Sequence, residues 1–298
     1  MLAGTVWLPN YNRTVQLRFD LKRCDEFRLV IVAYKIKTRQ TSTMKAPDYT
    51  PTYGIVCLID ALGAKNYSDE ETINFLESRK VIRKAMDDKV ADQVSLRSIK
   101  KPQIALFNDT IIIAIECKPD SQEEMNSMTA MAIIVRKLII DGISKGIFFR
   151  GAVGVGKYFI DLHNDTIIGQ AVSDAANWYE STNFVGCILT PRLAFVMQKH
   201  FDDGEPSSKG IYIPHRVSTK DGAKEMFCVN WPRGFFMGSI RPKGCEEGRE
   251  IQYLYQKIGN CPFPKTADEK FLNTVEFFKA SCARAITTNP STISSITE

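Results

Sequence analysis

Two aspartates in apolar surroundings are the side chains of this sequence best suited to chemistry. Asp109 lies within the run QIALFNDTIIIAIEC at 103–117, and Asp60 closes an apolar stretch in VCLIDALGAKN at 56–66. Burying an unpaired carboxylate in an apolar core is costly, so each acid is expected at the edge of a sheet. The β-branched residues on both sides of Asn108-Asp109 predict a tight hairpin with Asp109 at its tip.

The chemistry open to these acids depends on whether they meet. An acid at the end of a strand and an acid at the tip of a hairpin can converge when their strands are adjacent and antiparallel. Two carboxylates at such a short distance repel each other unless cations lie between them. A divalent metal with oxygen ligands is the sensible occupant. Taken singly, Asn108-Asp109 is also ordinary turn chemistry and Asp60 is also a common kind of loop acid, so the metal hypothesis needs both acids.

The composition is that of an ordinary globular protein, either one large domain or a core with extensions. Of its 298 residues, 44% are hydrophobic and 24% are charged, and no apolar run is long enough for a membrane span. The first residues lack a secretory signal, so the cytoplasm is expected. The formal charge of +5 is scattered, without a basic run interleaved with aromatics, which argues against nucleic acid as a partner.

The cysteines and histidines do not form metal or catalytic motifs. Eight cysteines are spaced singly, without a C-x-x-C pair, and are predicted to be core thiols rather than disulfides or zinc ligands. The three histidines are isolated, so neither a zincin helix nor a histidine-based triad is visible.

The chain divides by composition into four parts. An N-terminal extension at 1–50 has two strand-like pieces, TVQLRFDL at 14–21 and EFRLVIVAYKIK at 26–37, and ends in a polar, proline-containing connector. The proposed catalytic domain covers 51–235. A helical extension at 236–286 and a disordered Ser/Thr-rich tail at 287–298 are expected after it.

Within the core, strands and helices alternate. A strand at 54–60 precedes an amphipathic helix that begins near residue 68, and the hairpin follows. Ser121 and Glu124 form a capping-box pattern that starts a long helix with an apolar face, which we interpret as core. Two strands and a further helix come next, and this order predicts an α+β fold with a mixed sheet covered by helices.

The glycine-rich run GAVGVGK at 151–157 matches seven positions of a phosphate-binding P-loop. The eighth position is Tyr158 instead of Ser or Thr, and a strand-like stretch follows where a P-loop opens a helix. We therefore predict small residues at a close strand crossing, with Lys157 on the solvent side.

The order of these pieces resembles that of the class III nucleotidyl cyclases. In that family a strand ending in Asp, a helix, an Asp-bearing hairpin, a long helix, an R-x-G-x-x-x-G strand and a G-x-A-V helix follow one another. The corresponding stretches here are LID at 58–60, FNDTIII at 107–113, FRGAVGVG at 149–156 and GQAVSDAANWYES at 169–181. The resemblance covers about residues 52 to 232 and implies a ferredoxin-like cyclase core.

The same resemblance implies a site and a cofactor. Asp60 and Asp109, together with the backbone carbonyl of Ala61, would bind two metal ions around the triphosphate of a nucleoside triphosphate. One metal would lower the pKa of the ribose 3′-hydroxyl, and both would stabilise the charge that develops as pyrophosphate leaves.

Four positions depart from the family pattern. Purine cyclases select their base partly with a Lys and an Asp, at positions that are Ala105 and Thr166 here. The G-x-A-V helix normally carries an Asn and, four residues later, a transition-state Arg; here these are Ser173 and Asn177, still on one helical face. Exchanging a guanidinium for an amide removes a full charge from the phosphate site.

These departures resemble the pyrimidine cyclases of bacterial Pycsar antiphage defence. That resemblance implies synthesis of cyclic UMP or cyclic CMP, manganese favoured over magnesium, and a homodimer whose composite sites take the acids from one subunit and the G-x-A-V helix from the other. It also implies a separate cyclic-nucleotide-binding effector that reads the product. UTP is weakly favoured over CTP.

Two alternatives stay open at the level of sequence. One is an adenylate or guanylate cyclase with other base contacts, and the other is a catalytically silent, cyclase-like dimerisation module, which the missing Arg at Asn177 favours. Retention of both acids argues against the silent module. Lys220 and Lys224 are candidates to replace the missing charge, although two lysines in such a loop are also typical of a solvated turn.

Overall fold

The chain forms two compact units, Met1–Asp48 and Tyr49–Glu298. The structure, a computed structural model, describes residues 2–8, 13–19, 49–64, 67–70, 72–78, 80, 99–161, 164–200, 210–219, 222–237, 240–260 and 268–288. In the first unit, strand β1 (Leu2–Leu8) pairs antiparallel with β2 (Arg13–Phe19). The prediction of a strand at 14–21 overlaps β2, β1 was not anticipated, and the piece at 26–37 lies outside the described residues.

The second unit is built on an eight-stranded mixed sheet. Its strands are β3 (Thr52–Ala61), β4 (Gln103–Phe107), β5 (Thr110–Glu116), β6 (Phe149–Asp161), β7 (Thr166–Gly169), β8 (Gly186–Leu189), β9 (Tyr212–Thr219) and β10 (Gly222–Val229). The strand order is β4-β5-β3-β6-β8-β10-β9, and β7 pairs with β6. Among the described strands, β6 and β8 are the one parallel pair. The predicted α+β class with a mixed sheet is therefore confirmed.

Besides a helical stretch that begins at residue 69, five α-helices and a short 3-10 helix accompany this sheet in the described part of the chain. They are α1 (Gln122–Ser144), α2 (Gln170–Tyr179), α3 (Pro191–His200), the 3-10 helix (Pro232–Phe236), α4 (Glu250–Gly259) and α5 (Asp268–Thr288). Residues 69, 70, 72–78 and 80 are also helical, as predicted for a helix beginning near residue 68. The helical extension predicted at 236–286 contains α4 and α5, and α5 continues to Thr288. Residues 289–298 of the predicted tail lie outside the described residues.

The first part of the sheet determines where the two acids lie. The succession β3, helical residues, β4, β5, α1, β6 with strand order β4-β5-β3-β6 is the ferredoxin-like β-α-β-β-α-β arrangement. In this order β3 lies between β5 and β6, and both neighbours run antiparallel to it. The C-terminal end of β3 therefore meets the start of β5, directly after the hairpin turn.

The core lies between the sheet and its helices, as the apolar pattern predicts. The methionine-bearing face of α1 is fully buried through Met128, Met131, Val135 and Leu138. The six cysteines at described positions are free thiols, and five of them are buried. Burial raises the pKa of the Cys228 thiol, so the thiol is protonated at neutral pH. No helix in the described part of the chain is both long and apolar enough to cross a membrane.

The glycine-rich run at 151–157 is part of strand β6 and is not a phosphate loop, as predicted. A Cβ atom added to Gly154 would lie 2.9 Å from the backbone oxygen of Ala171 and 3.2 Å from Oδ2 of Asp174, both on α2. The small residues therefore allow α2 to pack closely against β6. Lys157 is exposed, as expected.

The buried carboxylate of Glu124 is a structural group. It accepts hydrogen bonds from the Tyr53 hydroxyl at 2.6 Å and from the backbone N–H of Asp120 at 3.0 Å, and the His200 Nε2 atom lies 2.9 Å away. Ser121 is the N-cap of α1, but its hydroxyl donates to the Lys118 carbonyl and does not cap the helix. Glu124 thus joins the start of α1 to β3 and α3.

Replacing Glu124 by alanine is expected to lower the free energy of unfolding by about 3 kcal/mol, because three part-buried contacts to its buried carboxylate are lost. The matched control is Glu123→Ala, which removes a partly exposed carboxylate 3.5 Å from Lys118 and should cost under about 0.5 kcal/mol. Urea unfolding of both variants measures the difference. Equal losses in the two variants would show that the Glu124 contacts contribute no specific stability.

Candidate active site

Asp60 lies at the end of β3 between two polar residues of the neighbouring strands. The antiparallel register places Thr110 of β5 and Arg150 of β6 opposite it. The Thr110 hydroxyl donates to Asp60 Oδ1 at 3.1 Å, and Arg150 Nη2 lies 3.8 Å from Asp60 Oδ2. The Asp60 side chain is only 14% exposed, so its carboxylate stands at the rim of the core with one edge open to solvent.

Asp109 lies at the tip of the β4–β5 hairpin, as the sequence predicts. Phe107 pairs with Thr110, which leaves Asn108-Asp109 as a two-residue turn. Asn108 has a φ angle of 48°, a left-handed conformation that Asn tolerates better than most residues. The backbone N–H of Ala61 donates to the Asp109 carbonyl at 3.2 Å. The hairpin tip is thereby tied to the end of β3, next to Asp60.

The charge of Asp109 acts on the Asp60 carboxylate. Partial burial raises the pKa of Asp60, and the negative charge of Asp109 raises it further. The hydrogen bond from Thr110 and the positive charge of Arg150 act in the opposite direction without cancelling the rise. Burial and the neighbouring negative charge therefore make ionisation of Asp60 less favourable than in water, and a further cation would favour it.

The donor atoms of this edge suit a hard divalent cation. Carboxylate and carbonyl oxygens are the ligands that Mg²⁺ and Mn²⁺ prefer, and a cation would favour the ionised form of Asp60. Among the described residues, no group of three or more His, Cys, Asp or Glu side chains is arranged to hold a metal ion. Asp60 and Asp109 would thus need further oxygens, from the Ala61 backbone carbonyl and from the substrate.

Arg150 belongs to this site, although the sequence singled it out only as part of a strand motif. Its Nη1 atom lies 3.5 Å from the Glu180 carbonyl oxygen, and its guanidinium carbon lies 5.4 Å from the centre of the Tyr179 ring. Both residues lie at the C-terminal end of α2, about 30 residues further along the chain. The sequence could have identified Arg150 only if the antiparallel pairing of β3 and β6 is assumed, because that pairing places Arg150 opposite Asp60.

Ser173 and Asn177 are not brought to the acids of their own chain. Both are exposed on one side of α2, while Ala171 and Ala175 of the same helix are buried against the sheet. In the described part of the chain, no hydrogen bond or ion pair joins Ser173 or Asn177 to Asp60. Their side chains therefore face outward, away from the sheet.

The two positions implied to contact the base have different environments. Ala105 is 1% exposed and packs in a small apolar cluster with Val56, Ala114, Tyr158, Ile167 and Ala171. Thr166 is partly exposed on β7, and its hydroxyl donates to the Asn164 carbonyl at 2.9 Å. Where the purine cyclases have a Lys and an Asp, this chain thus has a buried methyl group and a hydroxyl that already has an acceptor.

Lys224 lies on β10 beside the end of α2. Its Nζ atom is 5.6 Å from the centre of the Trp178 ring, and Trp178 follows Asn177 directly. A cleft of about 320 Å³ adjoins this contact and includes Phe195 and Phe227 in its wall. Lys220, the other candidate cation, lies outside the described residues.

Comparison with known proteins gives weak similarities. No family model matches the sequence, and no curated protein matches it. A solved catalytic core of a rhodopsin-guanylyl cyclase with converted specificity, in complex with ATPαS, is similar at a TM-score of 0.38 and 10% identity, over 61% of this chain and 97% of that one. An adenylate/guanylate cyclase/hydrolase from Silicibacter pomeroyi is similar at a TM-score of 0.35 and 15% identity, over 60% and 98%. Because both TM-scores are below 0.5, these similarities carry no argument about function. The residues and the strand order of this chain carry it instead.

Proposed function

We propose that this protein is a nucleotidyl cyclase of the class III type. It converts a nucleoside triphosphate into the 3′,5′-cyclic monophosphate and pyrophosphate. The observation that supports the proposal is that Asp60 and Asp109 lie next to each other at the C-terminal end of β3, with Arg150 beside them. This edge combines oxygen ligands for a metal with a cation for phosphate.

In the reaction, the ribose 3′-oxygen forms a bond to the α-phosphorus, the bond from the α-phosphorus to the pyrophosphate oxygen breaks, and the proton of the 3′-hydroxyl passes to solvent water. Two Mn²⁺ or Mg²⁺ ions bound by Asp60, Asp109 and the Ala61 carbonyl would supply Lewis-acid stabilisation of the developing charge. Arg150 would bind phosphate oxygens, since a guanidinium donates to them in a planar, two-pronged geometry. Its present distance of 3.8 Å from Asp60 exceeds hydrogen-bond length, so the group has donors to offer a ligand.

A homodimer would complete the site. Ser173 and Asn177 face away from their own acids, which supports their placement against the acids of a second copy. Lys224, whose Nζ atom lies 5.6 Å from the ring of Trp178, the residue after Asn177, could offset the missing charge. In this arrangement each subunit would contribute to both active sites of the dimer.

The base site supports a pyrimidine substrate. A purine edge needs polar partners, and Ala105 with Thr166 supplies a buried methyl group and an engaged hydroxyl. The product would then be cyclic UMP, or cyclic CMP, formed in the cytoplasm as a second messenger in antiphage defence. A separate cyclic-nucleotide-binding effector would read it.

The base preference is tested by incubating the protein with each ribonucleoside triphosphate and Mn²⁺ and identifying the products by mass. We expect UTP or CTP turnover at least about tenfold above ATP or GTP, because each unpaired polar group of a purine edge costs roughly 1 to 3 kcal/mol. Thr166→Asp, at a partly exposed position, should raise the ratio of ATP to UTP turnover.

Each alternative function has its own outcome in the same assay. Equal turnover of a purine and a pyrimidine nucleotide would favour an adenylate or guanylate cyclase with other base contacts. Absence of any cyclic product, with folded protein and bound Mn²⁺, would favour the silent dimerisation module.

A further inference from the structure

The end of α2 holds the Arg150 guanidinium from two sides. The ring of Tyr179 lies against one face, with 5.4 Å between the guanidinium carbon and the ring centre. The Glu180 carbonyl oxygen lies 3.5 Å from Nη1. Helix α2 ends at Tyr179, so this carbonyl belongs to the negative end of the helix dipole, where a cation is favoured.

Arg150 depends on these contacts for its orientation. Its Nη2 atom is 3.8 Å from Asp60 Oδ2, too far for a hydrogen bond, so Asp60 attracts the guanidinium without fixing its plane. Its Nε atom is buried and has no hydrogen-bond partner among the residues that the structure describes. The ring of Tyr179 and the Glu180 carbonyl are therefore the contacts that restrain the guanidinium.

Tyr179 is itself held in place. Its side chain is partly buried, which restricts the ring; the hydrogen bond from its hydroxyl to Glu180 Oε1, at 3.2 Å, lies at the exposed surface and is not needed for this. A fixed ring can restrain the guanidinium, whereas a mobile side chain could not.

We propose that Tyr179 is a positioning residue for the polyphosphate of the substrate: its ring holds Arg150 so that the guanidinium faces the phosphate site beside Asp60. This inference deepens the proposed function and rests on it. Tyr179 acts through Arg150 and does not itself contact the substrate. Because α2 also carries Ser173 and Asn177, one helix would position residues for both active sites of a dimer.

The test compares Tyr179→Leu, Tyr179→Phe and Arg150→Gln with the unmodified protein. Binding of inorganic tripolyphosphate in the presence of Mn²⁺ is measured by titration calorimetry, together with binding of Mn²⁺ alone. We expect Tyr179→Leu to weaken tripolyphosphate binding about tenfold, because the cation–ring contact is lost. Tyr179→Phe keeps the ring and should remain within about twofold of the unmodified protein. Mn²⁺ binding should be unchanged in both Tyr179 variants.

Turnover of UTP adds a second readout. Tyr179→Leu should raise KM more than it lowers kcat, and Tyr179→Phe should restore both. If Tyr179→Leu binds tripolyphosphate as well as the unmodified protein does, or if Tyr179→Phe is as impaired as Tyr179→Leu, the positioning role is wrong. If Arg150→Gln leaves tripolyphosphate binding intact, this inference fails even if the protein cyclises UTP. The failure of the proposed function is a different result, namely no cyclic product from any nucleotide.

Discussion

Replacing Asp60 or Asp109 by alanine is expected to lower the rate of nucleotide cyclisation by at least about a thousandfold, or ~4 kcal/mol of transition-state stabilisation. Each substitution removes oxygen ligands from a site whose proposed chemistry depends on bound metal. Product formation from UTP with Mn²⁺, followed by mass, measures the loss. Near-normal turnover by either variant would rule out the two-metal cyclase mechanism.

The same substitutions should not unfold the chain, and the dependence of stability on pH separates loss of catalysis from loss of folding. Because the pKa of Asp60 is raised in the folded protein, its ionised carboxylate destabilises the fold at neutral pH. This penalty is absent once the pH falls below the ordinary carboxyl pKa of about 4, because the group is then protonated in both the folded and the unfolded chain. We therefore expect metal-free Asp60→Asn to have a higher Tm than the unmodified protein at neutral pH, and no such gain in acid.

Mn²⁺ provides the control for that comparison. A metal ion between the acids would relieve the repulsion, so Mn²⁺ should raise the Tm of the unmodified protein and have little effect on Asp60→Asn. A large loss of Tm in metal-free Asp60→Asn at neutral pH would instead show that the carboxylate has a structural role, through Thr110 and Arg150.

Mixing two inactive variants is expected to restore activity if the active site is composite. Asp60→Ala lacks an acid, and a Ser173→Ala/Asn177→Ala double variant lacks the proposed partner residues. In a mixed dimer, one of the two sites would combine the intact acids of one subunit with the intact α2 of the other. With random exchange of subunits, recovery of about a quarter of the unmodified activity is expected.

A matched control uses Asp60→Ala mixed with Asp109→Ala. Both changes affect the acid side of the interface, so each site of the mixed dimer lacks one acid and no activity should return. Recovery in both mixtures would mean that the acids of one site come from different subunits. If the first mixture stays inactive although mixed dimers form, Ser173 and Asn177 do not act in the partner's site.

The sequence alone was sufficient for features that depend on nearby residues. The hairpin around Asn108-Asp109 follows from β-branched strands on both sides of two turn-forming residues. The helix that begins near residue 68 follows from its amphipathic spacing. The buried methionine face of α1 follows from helical spacing. In each case the stabilising contacts lie within a few residues of one another, so the local pattern determines the local structure.

Contacts between distant residues required the tertiary structure. Arg150 and Asp60 are 90 positions apart and face each other only because β3 pairs with β6 in one particular register. Tyr179 reaches Arg150 because small residues such as Gly154 let α2 pack closely on β6. The burial of Ala105 likewise depends on Tyr158 and Ile167 from other strands. Sequence spacing carries no information on such registers and packing distances, since they are selected by the free energy of burying the whole sheet and its helices together.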